Sequence, residues 1–211
     1  MSQKLLNIPP TKSALLDLKK QVKLLEQGHA MLEQKRELLT RLVYQHIGVY
    51  RKLRLQAKTT IGEAYQWLAM VQMRMGNSAL QQVSLGIDPA VSVKIIPRRS
   101  LGVQYPSINA QSLPIRPVGL LGTDSSLDEA RSKMVAATIA MTRLAENKTI
   151  LGRLIDEQRK AQKRVNALKY NIIPQYLNTI HHIESQLEEE ERNTLFQIKV
   201  LRESQQKHIG Y

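Results

Sequence analysis

Between Thr11 and Met75, apolar residues recur in alternating steps of three and four: Leu15, Leu18, Val22, Leu25, Leu32, Leu39, Val43, Tyr50, Leu53, Ala57, Ala64, Trp67 and Val71. Within that series only His29, Arg36, His46 and Thr60 break the apolar seam. A mean repeat of about 3.5 held this long predicts a left-handed supercoil, because an isolated helix drifts off such a stripe within a few turns. No proline interrupts the segment; Pro10-Thr11 reads as a start signal and Gly76-Asn77 as a stop.

A second helical pattern opens at Ser125. Ser126 and Glu129 have the spacing of a capping box, in which hydroxyl and carboxylate satisfy free backbone donors reciprocally. Met134, Ala137, Met141, Leu144, Leu151, Ile155, Val165, Leu168, Ile172, Tyr176, Ile180, Ile183 and Leu187 keep one face apolar. Between the helices, Gly76 to Asp124 holds five of the ten glycines and five of the eight prolines. There Val91 to Ile96 and Leu101 to Tyr105 read as two short strands around a turn at Pro97-Arg98-Arg99-Ser100.

The predicted fold is mainly α: a long antiparallel two-helix left-handed coiled coil with a small β-hairpin and loop subdomain in the middle of the chain. Its parts are an N-terminal extension (1–10), a first helix (11–75), the hairpin and loops (76–124) and a second helix (125–211). At ~1.5 Å per residue the helices run roughly 100 and 120 Å, and neither can bury its stripe alone. Folding the chain back at Met75 and Ser126 sets Gly28 opposite Pro174 and Arg36 opposite Val165-Asn166. It also leaves Arg192 to Tyr211 beyond the first helix as an overhang of about 30 Å.

Composition agrees with long helices. Aromatics are 4% of residues and cysteine is absent, so disulfides and thiolate metal sites are excluded. No run approaches the ~20 apolar residues that cross a bilayer, and Met1 to Pro10 lacks the apolar core of a secretory signal; direct membrane insertion is not expected and a cytoplasmic location is. The formal charge of +13 asks for an acidic partner. It is concentrated on the first helix, where Thr11 to Met75 carries 12 Lys/Arg against 5 Asp/Glu and Arg51, Lys52, Arg54 and Lys58 form the densest basic group.

Signatures of catalysis are missing: the chain has no phosphate-cradling G-x-x-x-x-G-K-[ST], no H-E-x-x-H and no G-x-S-x-G. His181 and His182 are adjacent, so on a helix they diverge instead of sharing a metal, and His29 and His46 are polar breaks in the seam. Neither a catalytic residue, a cofactor site nor a metal site is assigned. The run Glu188 to Glu191 reads as a solvated face or a partner for basic residues on the neighbouring helix. Arg36 on the seam is either a buried specificity device or a side chain that snorkels out. Pro174 is either a tolerated kink or a deliberate bend.

One feature exceeds what a two-stranded coil needs. Gly48, Leu55, Gly62 and Ala69 recur every seventh residue on the face away from the seam. With Leu42, Ile47, Val49, Ile61, Tyr65, Leu68, Met70 and Met73 they widen the apolar surface toward Met75. The expectation is that the middle segment folds back onto it and that another protein docks there as well.

Two stretches carry a resemblance. Pro10-Thr11-Lys12-Ser13-Ala14-Leu15-Leu16, then Gly28-His29-Ala30-Met31-Leu32 and Lys35-Arg36-Glu37-Leu38-Leu39, resembles the opening of the D subunit of V/A-type rotary ATPases. Arg164-Val165-Asn166-Ala167-Leu168-Lys169-Tyr170-Asn171-Ile172-Ile173-Pro174 resembles its C-terminal signature, with Lys169 where an acidic residue is common. This marks Gly28, His29, Arg36, Asn166 and Pro174 as structural positions.

The resemblance implies a non-catalytic central rotor shaft, on the cytoplasmic face of a membrane, that couples ATP hydrolysis or synthesis to ion translocation. It also implies the partners: a small F subunit, the catalytic hexamer of A and B subunits, and a C (or d) subunit above the membrane ring, with nucleotide chemistry left to the hexamer. Both termini would lie inside the hexamer, which makes Leu195, Ile198 and Leu201 candidates for the inner tip and the Gly48-to-Ala69 row the candidate seat of the small partner. The rivals are a coiled-coil stalk or adaptor of another ATPase, such as a secretion apparatus, and a nucleic-acid-binding coiled coil; nucleic acid is the weaker fit because stacking aromatics are scarce.

Overall fold

The computed structural model describes residues 5–117 and 123–208, with side chains to 202. In chain order it contains α1 (Lys12–Leu85), β1 (Val91–Ser100), β2 (Val103–Ser112), α2 (Ser125–Ala167), a π turn (Leu168–Ile172) and α3 (Ile173–His208). These elements fall into two compact units, Met1–Arg36 with Lys160–Tyr211, and Glu37–Arg159.

In the first unit, the start of α1 pairs with α3. Leu18, Val22, Ile180 and Ile183 form a buried cluster, joined by Leu15, Tyr176 and Leu187. Lys12–Glu191 and Lys19–Glu184, both 2.7 Å, fix the antiparallel sense. Of the acidic run, Glu191 therefore supplies a partner to the neighbouring helix, while Glu188 pairs with Arg192 on its own helix. The mutual hydrogen bond raises the Lys12 pKa and lowers that of Glu191, although both are exposed enough for water and salt to dilute the effect.

The residues just ahead of α1 are tied to the same core. Leu6 and Ile8 pack on the Leu18–Ile183 cluster, and the Leu6 N–H donates to Thr179 Oγ1 (3.1 Å). Thr179 is fully buried and donates to the Gln175 carbonyl (2.8 Å), so its hydroxyl is satisfied on both sides.

Pro174 is accommodated by a change of winding. A proline ring inside an α-helix clashes with the carbonyl four residues earlier and cannot donate. Here the chain widens into a π turn over Leu168–Ile172, closed by Ile173 N–H donating to the Leu168 carbonyl, which inserts an extra residue just ahead of the proline.

In the second unit, α1 pairs with α2 through small side chains. Ala57, Ala64 and Val71 on α1 and Ala130 and Ala137 on α2 are all buried, and such side chains bring helix axes close. Asn147 Nδ2 lies 3.3 Å from His46 Nδ1, placing one polar seam residue against another. Further along, Lys133–Glu63 (3.2 Å) and Arg74–Asp124 (2.9 Å) tie the helices. These pairings depart by several residues from the register expected on this stretch. On α2 the buried pair is Ile150 and Leu154, where Leu151 and Ile155 were expected; two adjacent apolar pairs leave the periodicity undecided by one residue.

Three expectations about the middle segment are corrected. The backbone does leave helical geometry at Gly76 (φ 78°), but helix resumes to Leu85, because Leu80 and Val83 pack on a cluster of Val71, Leu127 and Ala130. The hairpin turns at Leu101-Gly102, both at positive φ, the pattern of a two-residue type I′ turn; Pro97 to Ser100 belong to the strand. Finally, Ser126 does not cap with Glu129. Asp124 precedes the helix, and its carboxylate accepts from Ser126 Oγ (2.7 Å) and from Arg74. The Arg74 guanidinium first, then the Ser126 hydroxyl, lower the Asp124 pKa to about 2.

Candidate partner-binding surfaces

The second unit carries the outer apolar face of α1. Gly48, Leu55, Gly62 and Ala69 are exposed and Ile61 is half-buried. Tyr44 (72% exposed), Tyr65 (63%) and Met73 (80%) extend the row, since helical spacing keeps all of them within about a third of the circumference. Tyr44 went unnoticed in the sequence because it stands before the first glycine of the heptad row. An ideal Cβ at Gly48 or Gly62 meets nothing within 4 Å, so neither glycine is demanded by packing within the chain. The expectation that the middle segment folds back onto this row is corrected: among the described residues the row stays exposed, and the hairpin's hydrogen bonds run to α2.

The basic group Arg51, Lys52, Arg54 and Lys58 flanks the row, exposed, and makes no ion pair among the described residues. Like-charged neighbours without internal counterions favour an acidic partner.

The hairpin docks on α2 by the outer edge of β2. Arg153 donates to the Gln104 carbonyl (2.6 Å), and Glu146 accepts from the Ile108 N–H (3.0 Å). Near the loop end of the same unit, Leu68, Leu80, Ile87, Leu127, Ala130 and Met134 line an apolar groove of about 810 Å³.

In the first unit the candidate tip is α3 beyond Glu191, the last residue ion-paired with the start of α1 among the described residues. Leu195, Ile198 and Leu201 are 67%, 56% and 64% exposed, and Phe196 and Val200 stand beside them. Successive helical residues point about 100° apart, so these five are spread around the helix, with Gln197, Lys199 and Arg202 between them; exposed apolar surface of this extent marks a contact with other protein. Residues 209–211 of the expected overhang lie outside the described residues.

The structural positions sort differently. Arg36 is half-buried, and of the two readings it takes a bonded middle course: Nη1 donates to Gln162 Oε1 (3.3 Å), Nη2 lies 3.6 Å from Glu33, and Gln162 Nε2 donates to Asn166 Oδ1 (2.8 Å). Asn166 thus belongs to a polar bridge between the helices. His29 is half-buried with Nδ1 3.9 Å from Glu33, and its Nε2 is buried without a protein partner among the described residues. At Gly28 a Cβ would meet open space, so packing gives it no steric reason. Sequence reasoning passed over a second exposed row in the first unit, Leu16, Leu24 and Met31, whose near-heptad spacing outside the seam was the available signal.

Comparison with known proteins places this geometry. The family model for the D subunit of ATP synthase matches residues 14–203. The D subunit of the A-type ATP synthase of Pyrococcus furiosus is 34% identical over 199 residues, covering 92% of this chain and 93% of its own. The D subunit of the V-type ATP synthase of Thermotoga neapolitana is 33% identical over 199 residues, covering 94% and 98%. With two long helices around a central hairpin, and the match running from the first turn of α1 into the last part of α3, the chain belongs to the family of ATP synthase D subunits.

Proposed function

We propose that the chain works as the central shaft of its ATPase and couples catalysis to ion translocation by mechanical contact alone. Membership of the D-subunit family makes it a stalk component, not the catalytic one. The observation that best supports the shaft reading is the pairing of the start of α1 with α3, through Leu18, Val22, Ile180 and Ile183, with exposed apolar residues of α3 continuing past them. A shaft of this kind biases the conformational equilibrium of each catalytic pair by its differential contact with that pair, and turning it permutes the bias. The polar seam contacts, Arg36–Gln162–Asn166 and His46–Asn147, oppose sliding of one helix along the other.

On this reading the partners divide by surface. The end of α3 lies within the hexamer of catalytic A and B subunits, the Gly48-to-Ala69 row seats the small F subunit, and the apolar groove at the loop end faces the C (or d) subunit. The complex holds the chain at the cytoplasmic face of the membrane; no helix among the described residues is long and apolar enough to cross one.

Leu55→Glu and Gly62→Arg test the seat of the small partner. Both sites are exposed, and the absence of neighbours at Gly62 leaves room for arginine, which also favours helix by up to about 1 kcal/mol over glycine. Circular dichroism should therefore be unchanged while retention of the small partner falls at least ten-fold, the ~1.4 kcal/mol lost with one good contact. Unaltered retention would remove the row from the interface.

A further inference from the structure

The two edges of the hairpin are unequal. In an antiparallel pair closed by a two-residue turn, Ser100 and Val103 exchange hydrogen bonds, and bonded and non-bonded pairs then alternate. Val91, Val93, Ile95, Pro97 and Arg99 fall on non-bonded positions, so their backbone groups point away from β2. The same alternation turns Gln104 and Ile108 outward on β2, where Arg153 and Glu146 meet them. The β2 edge is satisfied by α2; the β1 edge is not. Among the described residues, no group bonds the outward N–H of Val93, Ile95 or Arg99, and every residue from Val93 to Ser100 is exposed.

The side chains along that edge say what fits it. One face presents Val91, Val93 and Ile95, and the other Lys94, Ile96 and Arg98. Lys94, Arg98 and Arg99 have no ion pair among the described residues, and no acidic residue occurs between Asp88 and Asp124. A second copy pairing edge to edge would bring these cations together. Pro97 sits where no ladder bond is needed in the present hairpin, yet it stops a further strand from bonding beyond Ile95. The open stretch is thus Val91 to Ile96, and its complement is an extended segment alternating aliphatic and acidic residues.

We infer that β1 accepts a third strand from a neighbouring protein of the assembly, an acidic–aliphatic segment that bonds the outward backbone of Val91, Val93 and Ile95 and pairs its carboxylates with Lys94 and Arg98. A two-stranded hairpin is marginal alone, and a third strand completes it. This goes beyond the shaft reading and rests on it only in requiring an assembly. Co-purification with the catalytic subunits tests the shaft; the hairpin edge is tested separately.

Residue-resolved amide exchange on the isolated chain and on the purified ATPase assembly reads the edge directly. On assembly the amides of Val93 and Ile95 are expected to slow by about ten-fold or more, while those of Lys94 and Ile96, already bonded to β2, change little. No slowing, or equal slowing at alternate residues, would overturn the added strand. Ile95→Pro removes an outward donor that the hairpin itself does not use. It should leave the ladder at Lys94 and Ile96 intact and abolish the slowing at Val93; slowing that persists in this variant would also overturn the proposal. Lys94→Glu with Arg98→Glu should weaken the protection at Val93, and protection unchanged by both reversals would contradict the acidic character assigned to the partner.

Discussion

Removing everything after Arg192 is expected to leave the isolated protein folded and to deprive the assembled ATPase of most of its coupling. Among the described residues the last ion pair of α3 with the start of α1 is at Glu191, and residues 192–202 are exposed throughout. Their deletion takes no side chain from the buried clusters, so the thermal midpoint should move by no more than a few degrees, the response to about 1 kcal/mol or less. In the assembly the same residues supply exposed apolar side chains that only surrounding protein can cover. ATP turnover then ceases to drive ion transport even where hydrolysis continues. Paired assays of hydrolysis and ion uptake on reconstituted vesicles check this. Full coupling by the truncated assembly would reassign the tip.

The second large effect is on folding. Ile183 is 1% exposed and packs on Leu18, Val22 and Ile180. Ile183→Asp places a carboxylate where no cation or donor awaits it, a loss of about 4 kcal/mol or more from a total that is rarely above about 15. Leu24→Asp, at a leucine 68% exposed on the same stretch of α1 as Leu18 and Val22, should cost within about 0.5 kcal/mol. Urea unfolding followed by circular dichroism separates the two. Similar midpoints for both variants would mean that the α1–α3 seam is not where stability resides.

Much of the fold was legible because long helices write their contacts at a fixed spacing. Leu18, Val22, Leu39, Ala57, Ala64 and Val71, all on the series traced from Leu15, are buried. Legibility failed where spacing carries less information than local chemistry. Pro174 announced a disturbance but not its form, since a kink and a π turn satisfy a proline equally well in sequence. Ser126 and Glu129 had the right spacing for a cap, yet Asp124, one residue ahead of the helix, competes better as an acceptor for Arg74 and Ser126.

Other features depend on contacts far apart in the chain. Leu6 and Ile8 form no periodic pattern, and their role follows only from Thr179 and the Leu18 cluster. The short helical stretch from Asn77 to Leu85 is enclosed by Gly76 and Gly86, which masked its Leu80 and Val83 face. Candidate surfaces were legible in proportion to their excess: the Gly48-to-Ala69 row stood out because a two-stranded coil has no use for it. The open edge of β1 was hidden, because it is defined by what covers the other edge, and the bonds of Arg153 and Glu146 to β2 join residues far apart in the chain.

The chain contains no cysteine, so Arg99→Cys gives a single attachment point on the exposed hairpin. With the catalytic hexamer fixed to a surface and a probe on that cysteine, adding ATP should turn the probe through repeated steps in one direction. A probe that stays still while ATP is hydrolysed would contradict the shaft.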